Sequence, residues 1–271
     1  MTRESNNLLA KNMRLSKRSR LIKKYGVRFL VLLFWLLLWE FLYRVINNEV
    51  FLTSPMSVLQ TLGELLMQNS FWQTIGFSFT RIVIGFIIAI LVGTALGVLA
   101  YNLWVIEELI SPFFIVMKAV PVASFVILSL LWISSKNLSI LISFLMVVPI
   151  IYTNLLQGLR NTDKKLLEMA KVFHVGTMKK IKAIYIPSVL PYFMSAIKVG
   201  LGFCWKAGIA AEVIGIPNGS IGEGLYEAKL YLMTDELFAW TVIIVIISII
   251  FEKLVILIID YLHHIEERQG D

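Results

Sequence analysis

Long apolar stretches alternate with short polar segments along most of the chain, and each stretch is long enough to cross a membrane as a helix. Spans are predicted at about 29–47, 81–101, 113–133, 138–158, 190–214 and 237–262. A membrane-crossing helix needs about 20 mainly apolar residues. Helices satisfy all their backbone hydrogen bonds internally, as lipid requires. The pattern therefore predicts an all-α, polytopic helical membrane protein with about six transmembrane helices.

The polar segment after the first span predicts a short helix of its own. Ser54 is a good capping residue, and Pro55 follows it at the first helical position. The amphipathic stretch from Val58 to Met67 is predicted to lie at the membrane surface. Within the second span, Gly93 and Gly97 form a small face that permits close helix packing, although glycines are common in membrane helices in general.

Composition agrees with a protein whose solvent is largely lipid. Of the 271 residues, 58% are hydrophobic and only 16% are charged, and the mean hydropathy is +0.79. A soluble domain carries about 25% charged residues. We therefore predict one transmembrane domain at 29–262, preceded by a basic arm at 1–28 and followed by a polar tail at 263–271.

Positive charge is concentrated in two segments, and this distribution predicts the orientation of the spans. Residues 1–28 carry nine Lys or Arg side chains against the single acid Glu4, and the loop 159–188 carries seven against two. Basic loops stay on the cytoplasmic side. Both termini and the loop are thus predicted to be cytoplasmic. A basic arm can bind nucleic acid, but directly before a span it is interpreted as a flank that contacts anionic lipid, and no nucleic-acid partner is expected.

Catalytic and metal-binding patterns are missing from the sequence. It has no Gly-rich loop followed by Lys and Ser or Thr, so the chain is not expected to bind ATP itself. His263 and His264 lack further Cys or His ligands, so no metal is expected. No Ser or Cys nucleophile has a paired base, so no catalytic residue is assigned. The single cysteine, Cys204, is interpreted as a small core residue.

Ionisable residues inside apolar spans are costly, so each is a candidate for function. Lys118, Lys206 and Glu212 are the main ones, whereas Glu252 and Lys253 lie near a span end and are interpreted as structural. Lys206 either faces a central path and meets an anionic substrate, or reaches the interface or a carboxylate on another span. Glu212 follows Lys206 by about 9 Å along a helix axis, so the two form no facing pair.

The basic loop carries a recognisable motif. It reads Glu168-Met169-Ala170-Lys171-Val172-Phe173-His174 and then Ile184-Tyr185-Ile186-Pro187. This resembles the "EAA…G…I.LP" loop of binding-protein-dependent ABC importer permeases, with matching spacing and the same place before the penultimate span. The sequence departs from the motif at Met169, His174 and Ile186. His174 stands where the motif has Gly, and we expect Gly176 to make the turn instead.

The rest of the chain, over about 50–262, resembles the nitrate/sulfonate/taurine branch of these permeases. The matching pieces are Ser54-Pro55 with Val58; Ser78, Arg81, Gly85 and Gly97; Lys118-Ala119-Val120-Pro121 with Leu131-Trp132; and Cys204-Trp205-Lys206, Ala211-Glu212 and Gly219-Ser220-Ile221-Gly222. The resemblance implies the type I ABC importer permease fold with a cytoplasmic coupling helix.

The resemblance also implies a mechanism. Two permease chains, expected as a homodimer, form a pathway, and an extracytoplasmic substrate-binding protein delivers the solute. Two ABC ATPase subunits dock from the cytoplasm and bind the ATP, so this chain needs no cofactor and is not expected to be an enzyme. The helix around 163–180 would be the coupling helix, with Leu167, Ala170 and Val172 buried against the ATPase.

The resemblance assigns two sets of site residues. Those for ATPase coupling are Leu167, Glu168, Met169, Ala170, Lys171, His174, Gly176 and Pro187, and those for the translocation pathway are Lys118, Pro121, Trp205, Lys206 and Glu212.

Three other classes of membrane protein are open alternatives. An ion-coupled secondary transporter often shows inverted repeats, but no repeat is evident and the basic loop would have no role. A membrane-embedded enzyme would need a His or Asp cluster inside the spans, which the sequence lacks. A structural scaffold would show no response to ATPase subunits. Lys118 and Lys206 favour an anionic or zwitterionic solute of the nitrate, sulfonate, taurine, bicarbonate or thiamine-precursor class.

Overall fold

A computed structural model describes residues 26–269, with side chains described as far as residue 259. The predicted basic arm at 1–28 therefore lies almost wholly outside the described residues, as do the side chains of His263 and His264. The helices are α1 Gly26–Ile46, α2 Pro55–Leu66, α3 Asn69–Asn102, α4 Trp104–Ala119, α5 Val122–Ser129, α6 Ser135–Arg160, α7 Lys164–Val172, α8 Thr177–Lys180, α9 Ile186–Gly215, α10 Ile221–Leu230 and α11 Thr234–Gln269.

Five helical segments are long and apolar enough to cross a membrane, and one bent pair makes a sixth. The five are Gly26–Ile46, Asn69–Asn102, Ser135–Arg160, Thr177–Gly215 and Thr234–Ile259. The fourth, called the long segment below, contains α8, a π-helical turn at Ile181–Tyr185, and α9. The prediction of an all-α polytopic protein with about six spans is confirmed.

The predicted third span, 113–133, is not one helix. It is divided between α4 and α5, and the chain direction bends by 106° from one helix to the other. Pro121 has no N–H to donate, and its ring disfavours a helical conformation at Val120, which is extended at φ −80° and ψ 133°. The predicted span is therefore broken into two helices, and the reason is the Val120-Pro121 step.

The bent pair nevertheless connects the two ends of the bundle. At the end of the bundle that carries α7, Glu107 of α4 pairs with Arg160, the last residue of α6. At the opposite end, Val126 of α5 packs with Leu138, near the start of α6. The bent pair therefore contacts α6 near both of its ends.

The helix α6 is the centre of the bundle, with α3 and α9 packed on either side of it. Its inner side chains are fully buried, including Leu138, Ile142, Val147 and Ile151. The close approach depends on glycine: a Cβ at Gly85 of α3 would lie 2.4 Å from the carbonyl oxygen of Ile140 in α6. Small residues let helix backbones approach, which drives helix association in lipid.

The other glycines that face α6 continue these two contacts. On α3 they are Gly93 and Gly97, which confirms the small face predicted there, and on α9 they are Gly200, Gly208 and Gly215. Each would place an added Cβ within about 3 Å of an atom of α6 or of a side chain beside it, where no Cβ normally fits. The three-helix core is therefore held together by close backbone approach.

Shorter helices close the end of the bundle opposite α7. Ser54 caps α2 as predicted, since its Oγ accepts a hydrogen bond from the Ser57 N–H at 3.0 Å. α11 packs against α2, where Thr61 Oγ1 donates to Asp235 Oδ2 at 2.7 Å. Cys204 is fully buried in the core, as predicted.

Replacing Gly85 with Ala is expected to destabilise the protein by about 1–3 kcal/mol, because the new methyl group meets backbone of α6 and forces the helices apart. Gly76→Ala is the matched control on the same helix, since nothing lies within 4 Å of its added Cβ. The readout is the thermal unfolding midpoint in detergent, and equal midpoints for the two variants would contradict the close-packing account.

Candidate functional site

A buried carboxylate joins helices at the end of the bundle opposite α7. Glu212 of α9 is fully buried, and the Ser78 hydroxyl of α3 donates to its Oε2 at 2.6 Å. Ser78 Oγ in turn accepts from the Ile221 N–H at 2.9 Å, and the Gly222 N–H reaches Glu212 Oε2 at 3.4 Å. Both amides belong to the first turn of α10, whose positive dipole end favours a carboxylate.

The same cluster reaches α6 through Ser139. Its hydroxyl is fully buried near the Glu212 carboxyl, but it makes no hydrogen bond there. α10 is in direct contact with α9 here, since a Cβ at Gly222 would lie 2.3 Å from Glu212 Cβ. We call Ser78, Ser139, Glu212 and the first turn of α10 the Glu212 cluster; its hydrogen bonds join α3, α9 and α10, and Ser139 of α6 packs beside them.

Two residues assigned to the pathway, Glu212 and Trp205, lie inside the bundle in this conformation. The Trp205 side chain is 2% exposed and packs against Phe79 and Phe251. Their assignment to a pathway stays a prediction. The partnership with Ser78 was missed, because no local pattern pairs two residues that lie 134 positions apart.

A cleft of about 480 Å³ opens where α4 and α5 meet. Lys118 and Pro121, both assigned to the pathway, line it together with Pro149 of α6 and with Val199 and Phe203 of α9. The break in the helix therefore brings an exposed lysine to a mainly apolar cleft at mid-bundle.

The face of α9 beside this cleft carries two exposed lysines. Lys198, Gly202 and Lys206 follow at intervals of four residues, so they lie on one face, and both lysine side chains are exposed. The lysines are about 12 Å apart along the helix axis. Lys198 was missed, although an ionisable residue within an apolar stretch is the signal that identifies it.

The basic loop folds into α7 and α8, separated by a tight turn. Asp163 caps the start of α7, since its Oδ1 accepts from the Lys165 N–H at 2.8 Å. At its other end the Val175 N–H donates to the Ala170 carbonyl at 2.8 Å, and the helix stops there. This bond is part of a Schellman motif.

The turn that ends α7 is made by His174 itself. It has a left-handed conformation with φ +49°, and its N–H donates to the Lys171 carbonyl at 3.1 Å. Gly176 is instead extended, at φ −61° and ψ 150°. The expectation that Gly176 makes the turn is therefore wrong, because the hydrogen bonds of the Schellman motif place the left-handed residue directly after the helix cap.

An exposed apolar surface surrounds this turn. Its side chains are Met169, Val172, Phe173 and Met178, which are 52%, 73%, 74% and 67% exposed. We call them the α7–α8 surface. Five other residues of the coupling set are also exposed: Glu168, Lys171, His174, Gly176 and Pro187. Such a patch on a polar, basic loop is typical of a protein-binding site.

The structure changes which residues of α7 can meet a partner. Ala170 is 2% exposed, and Leu167 is half-buried. Of the three side chains expected to be buried against a partner, only Val172 is freely exposed. The outward face of α7 is therefore the one that carries Met169, Val172 and Phe173.

Comparisons with known proteins identify related sequences. Residues 85–265 match the family described as binding-protein-dependent transport system inner membrane component. A proposed aliphatic sulfonates transport permease protein of Bacillus subtilis (strain 168) is 26% identical over 199 residues, which cover 73% of this chain and 71% of that protein. The taurine transport system permease protein of Escherichia coli (strain K12) is 24% identical over 211 residues, 76% of each chain. A bicarbonate transport system permease protein of Synechococcus elongatus is 27% identical over 167 residues, 61% of this chain and 59% of that protein.

Ser78→Ala is expected to destabilise the protein by about 1–3 kcal/mol, since it leaves the Ile221 N–H unpaired in the interior and removes the shorter of the two hydrogen bonds to Glu212 Oε2. Thr80→Ala, an exposed position on the same helix, is the control and is expected to have little effect. Chemical or thermal unfolding in detergent measures the difference. A Ser78→Ala protein as stable as Thr80→Ala would exclude a structural role for the cluster.

His174→Gly is expected to stabilise the turn by about 1 kcal/mol, because glycine adopts a positive φ without the steric cost that a Cβ brings. Gly176→Ala is expected to be tolerated, since nothing lies within 4 Å of its added Cβ. Hydrogen exchange of the Val175 amide reports the stability of the turn. Faster exchange in His174→Gly would show instead that the imidazole makes a contact of its own.

Proposed function

Because the chain belongs to the binding-protein-dependent ABC importer permeases, in their nitrate/sulfonate/taurine branch, we propose that it forms the translocation pathway for a small anionic or zwitterionic solute. It is a multi-pass membrane protein of the inner membrane. One observation carries the proposal: Lys118 at the α4–α5 break lines a mainly apolar cleft at mid-bundle, and the exposed Lys198 and Lys206 lie on the adjoining face of α9.

The charge at this cleft favours a negatively charged group. Lys118 lines the cleft, and Lys206 lies on the adjoining face of α9 with Lys198. No acidic side chain lines the cleft among the described residues. Unpaired cations are unfavourable inside a membrane, so a passing anion gains free energy by neutralising them. Relatives named for sulfonates, taurine and bicarbonate agree with this class of solute.

The pathway needs a second wall, and a second copy of the chain is the proposed source. The α9 face with Lys198, Gly202 and Lys206 is not covered by another described helix. Two copies related by a two-fold axis would place these faces opposite each other and enclose a path between them. Trp205 and Glu212 would then support the wall from behind.

The α7–α8 surface is the proposed docking site for an ATPase subunit, which binds the ATP. Exposed apolar side chains at its centre and lysines around it match the usual make-up of an interface, with an apolar core and a polar rim. The chain itself then needs no cofactor and carries out no chemical reaction. The long segment, 39 residues in length, would transmit movement at α8 towards the Glu212 cluster.

The orientation follows from the same assignment. The α7 end, with the N- and C-termini, would be cytoplasmic, and the Glu212 cluster would lie towards the extracytoplasmic side, where a binding protein delivers the solute. The basic character of the loop 159–188 supports this orientation.

The decisive experiment is a pull-down of the chain from detergent-solubilised membranes, followed by uptake assays in proteoliposomes. Recovery of an ATPase subunit at about equal stoichiometry and uptake that requires ATP are expected. A chain that purifies alone and transports without ATP would instead support the ion-coupled secondary transporter. A chain that neither binds an ATPase nor transports would support a scaffold.

Phe173→Asp is expected to abolish recovery of the ATPase, because a charge replaces the most exposed aromatic side chain of the α7–α8 surface. Phe51→Asp is the matched control, since Phe51 is 75% exposed but lies in the loop between α1 and α2. Co-purification yields measure the effect. Equal recovery of the ATPase with both variants would place its docking site elsewhere.

Lys206→Ala is expected to lower uptake about tenfold while the ATPase still co-purifies, because the side chain would contact the solute and not the ATPase. Lys253→Ala, an exposed lysine on the α11 span, serves as the control. Uptake of labelled solute into proteoliposomes is the measurement. Unchanged uptake would indicate that Lys206 has a structural or interfacial role instead.

A further inference from the structure

Two adjoining clefts at the α7 end of the bundle form one groove. It lies where the last turns of α3 and α6 diverge from the start of α9. The two clefts measure about 360 Å³ and 350 Å³ and share Val98, Leu159, Ile181 and Tyr185 as lining residues. We call this the α3–α9 groove.

The groove changes from apolar to polar along its length. The part nearer mid-bundle is lined mainly by aliphatic and aromatic side chains such as Leu155, Val189 and Phe193. The outer part adds Tyr101, Asn102, Thr177 and Lys180. The Tyr101 and Tyr185 hydroxyls lie 3.4 Å apart where the two parts meet. Tyrosines with an apolar ring and a polar tip are enriched at the level of lipid headgroups.

The groove is separate from the proposed pathway. Leu190 lines the groove and Val199 lines the cleft at the α4–α5 break. No residue lines both the groove and that cleft, and on α9 the groove ends at Phe193 while the cleft begins at Val199. An occupant of the groove therefore does not compete with a solute in the pathway.

The charge of the outer part is positive. Lys180 lines it, and Lys179 and Lys182 are exposed close by in the chain. No acidic side chain lines either cleft among the described residues. Basic pockets between membrane helices at the cytoplasmic side bind the headgroups of anionic lipids.

We infer that the α3–α9 groove binds an anionic phospholipid, with an acyl chain along the apolar part and the phosphate beside Lys180 and Thr177. A phospholipid matches both halves of the groove at once, because its apolar tail and its charged headgroup are joined in the order in which the lining changes. The inference does not depend on the proposed function, since it concerns binding by this chain alone.

Native mass spectrometry of the purified full chain tests the inference, with phosphatidylglycerol and phosphatidylcholine added at equal concentration. The wild-type chain is expected to retain phosphatidylglycerol about fivefold better, which corresponds to about 1 kcal/mol for one lysine near a headgroup. Lys180→Ala is expected to remove this preference. Lys179→Ala is the control, because that residue is exposed but does not line the groove.

A second pair of variants tests the apolar part. Val98 lines both clefts and is 43% exposed, whereas Leu99 is 44% exposed and lines neither. Val98→Trp is expected to fill the groove and abolish retention of either lipid, and Leu99→Trp is expected to behave as wild type. Circular dichroism and elution volume check that each variant is folded.

Several results would overturn the inference. Equal retention of the two lipids by the wild-type chain would exclude a headgroup site. A loss of the phosphatidylglycerol preference in Lys179→Ala equal to that in Lys180→Ala would indicate that the lipid responds only to the total charge of the chain. A disulfide between two copies of a Val98→Cys chain would show that a second copy occupies the groove. If Val98→Trp does not fold, the lysine pair decides alone.

Discussion

The carboxylate of Glu212, buried in a protein whose surroundings are largely lipid, joins α3, α9 and α10 through hydrogen bonds. A buried carboxylate is tolerated only where hydrogen bonds replace the water it has lost. Ser78 and the first turn of α10 supply these bonds, and each of them is then held in place by the carboxylate. The helices are therefore joined at one end of the bundle by a polar cluster. The surrounding lipid tails offer no hydrogen bonds that would replace those of the cluster.

The opposite end of the bundle is built in a different way. There the long segment leaves the close contact with α6 and continues through a π-helical turn into α8 and the exposed apolar side chains of the α7–α8 surface. Few buried contacts hold this end, and parts of a protein with few buried contacts open or move most readily. The bundle thus combines a firmly anchored end with one suited to respond to a partner.

Much of the fold could be predicted from the sequence, because lipid imposes long apolar helices and because Ser54 and Asp163 mark helix starts through local capping chemistry. The bend at Pro121 was also present in the sequence, but tertiary packing decides whether a proline kinks or divides a span. The site was predicted less completely. The contact between Ser78 and Glu212 and the burial of Ala170 depend on how distant segments meet, and no local pattern reports that.

The π-helical turn at Ile181–Tyr185 has a geometric consequence for the way in which this chain presents its α7–α8 surface. A π turn accommodates one more residue than an α-helical turn, and each residue of a helix rotates its direction by about 100°. Removing a single residue there would convert the turn to regular α-helix and swing the α7–α8 surface around the axis of α9. The number of residues in this turn therefore sets the direction in which the surface faces. An insertion or deletion of one residue there would turn the surface towards a different direction without changing any of its side chains.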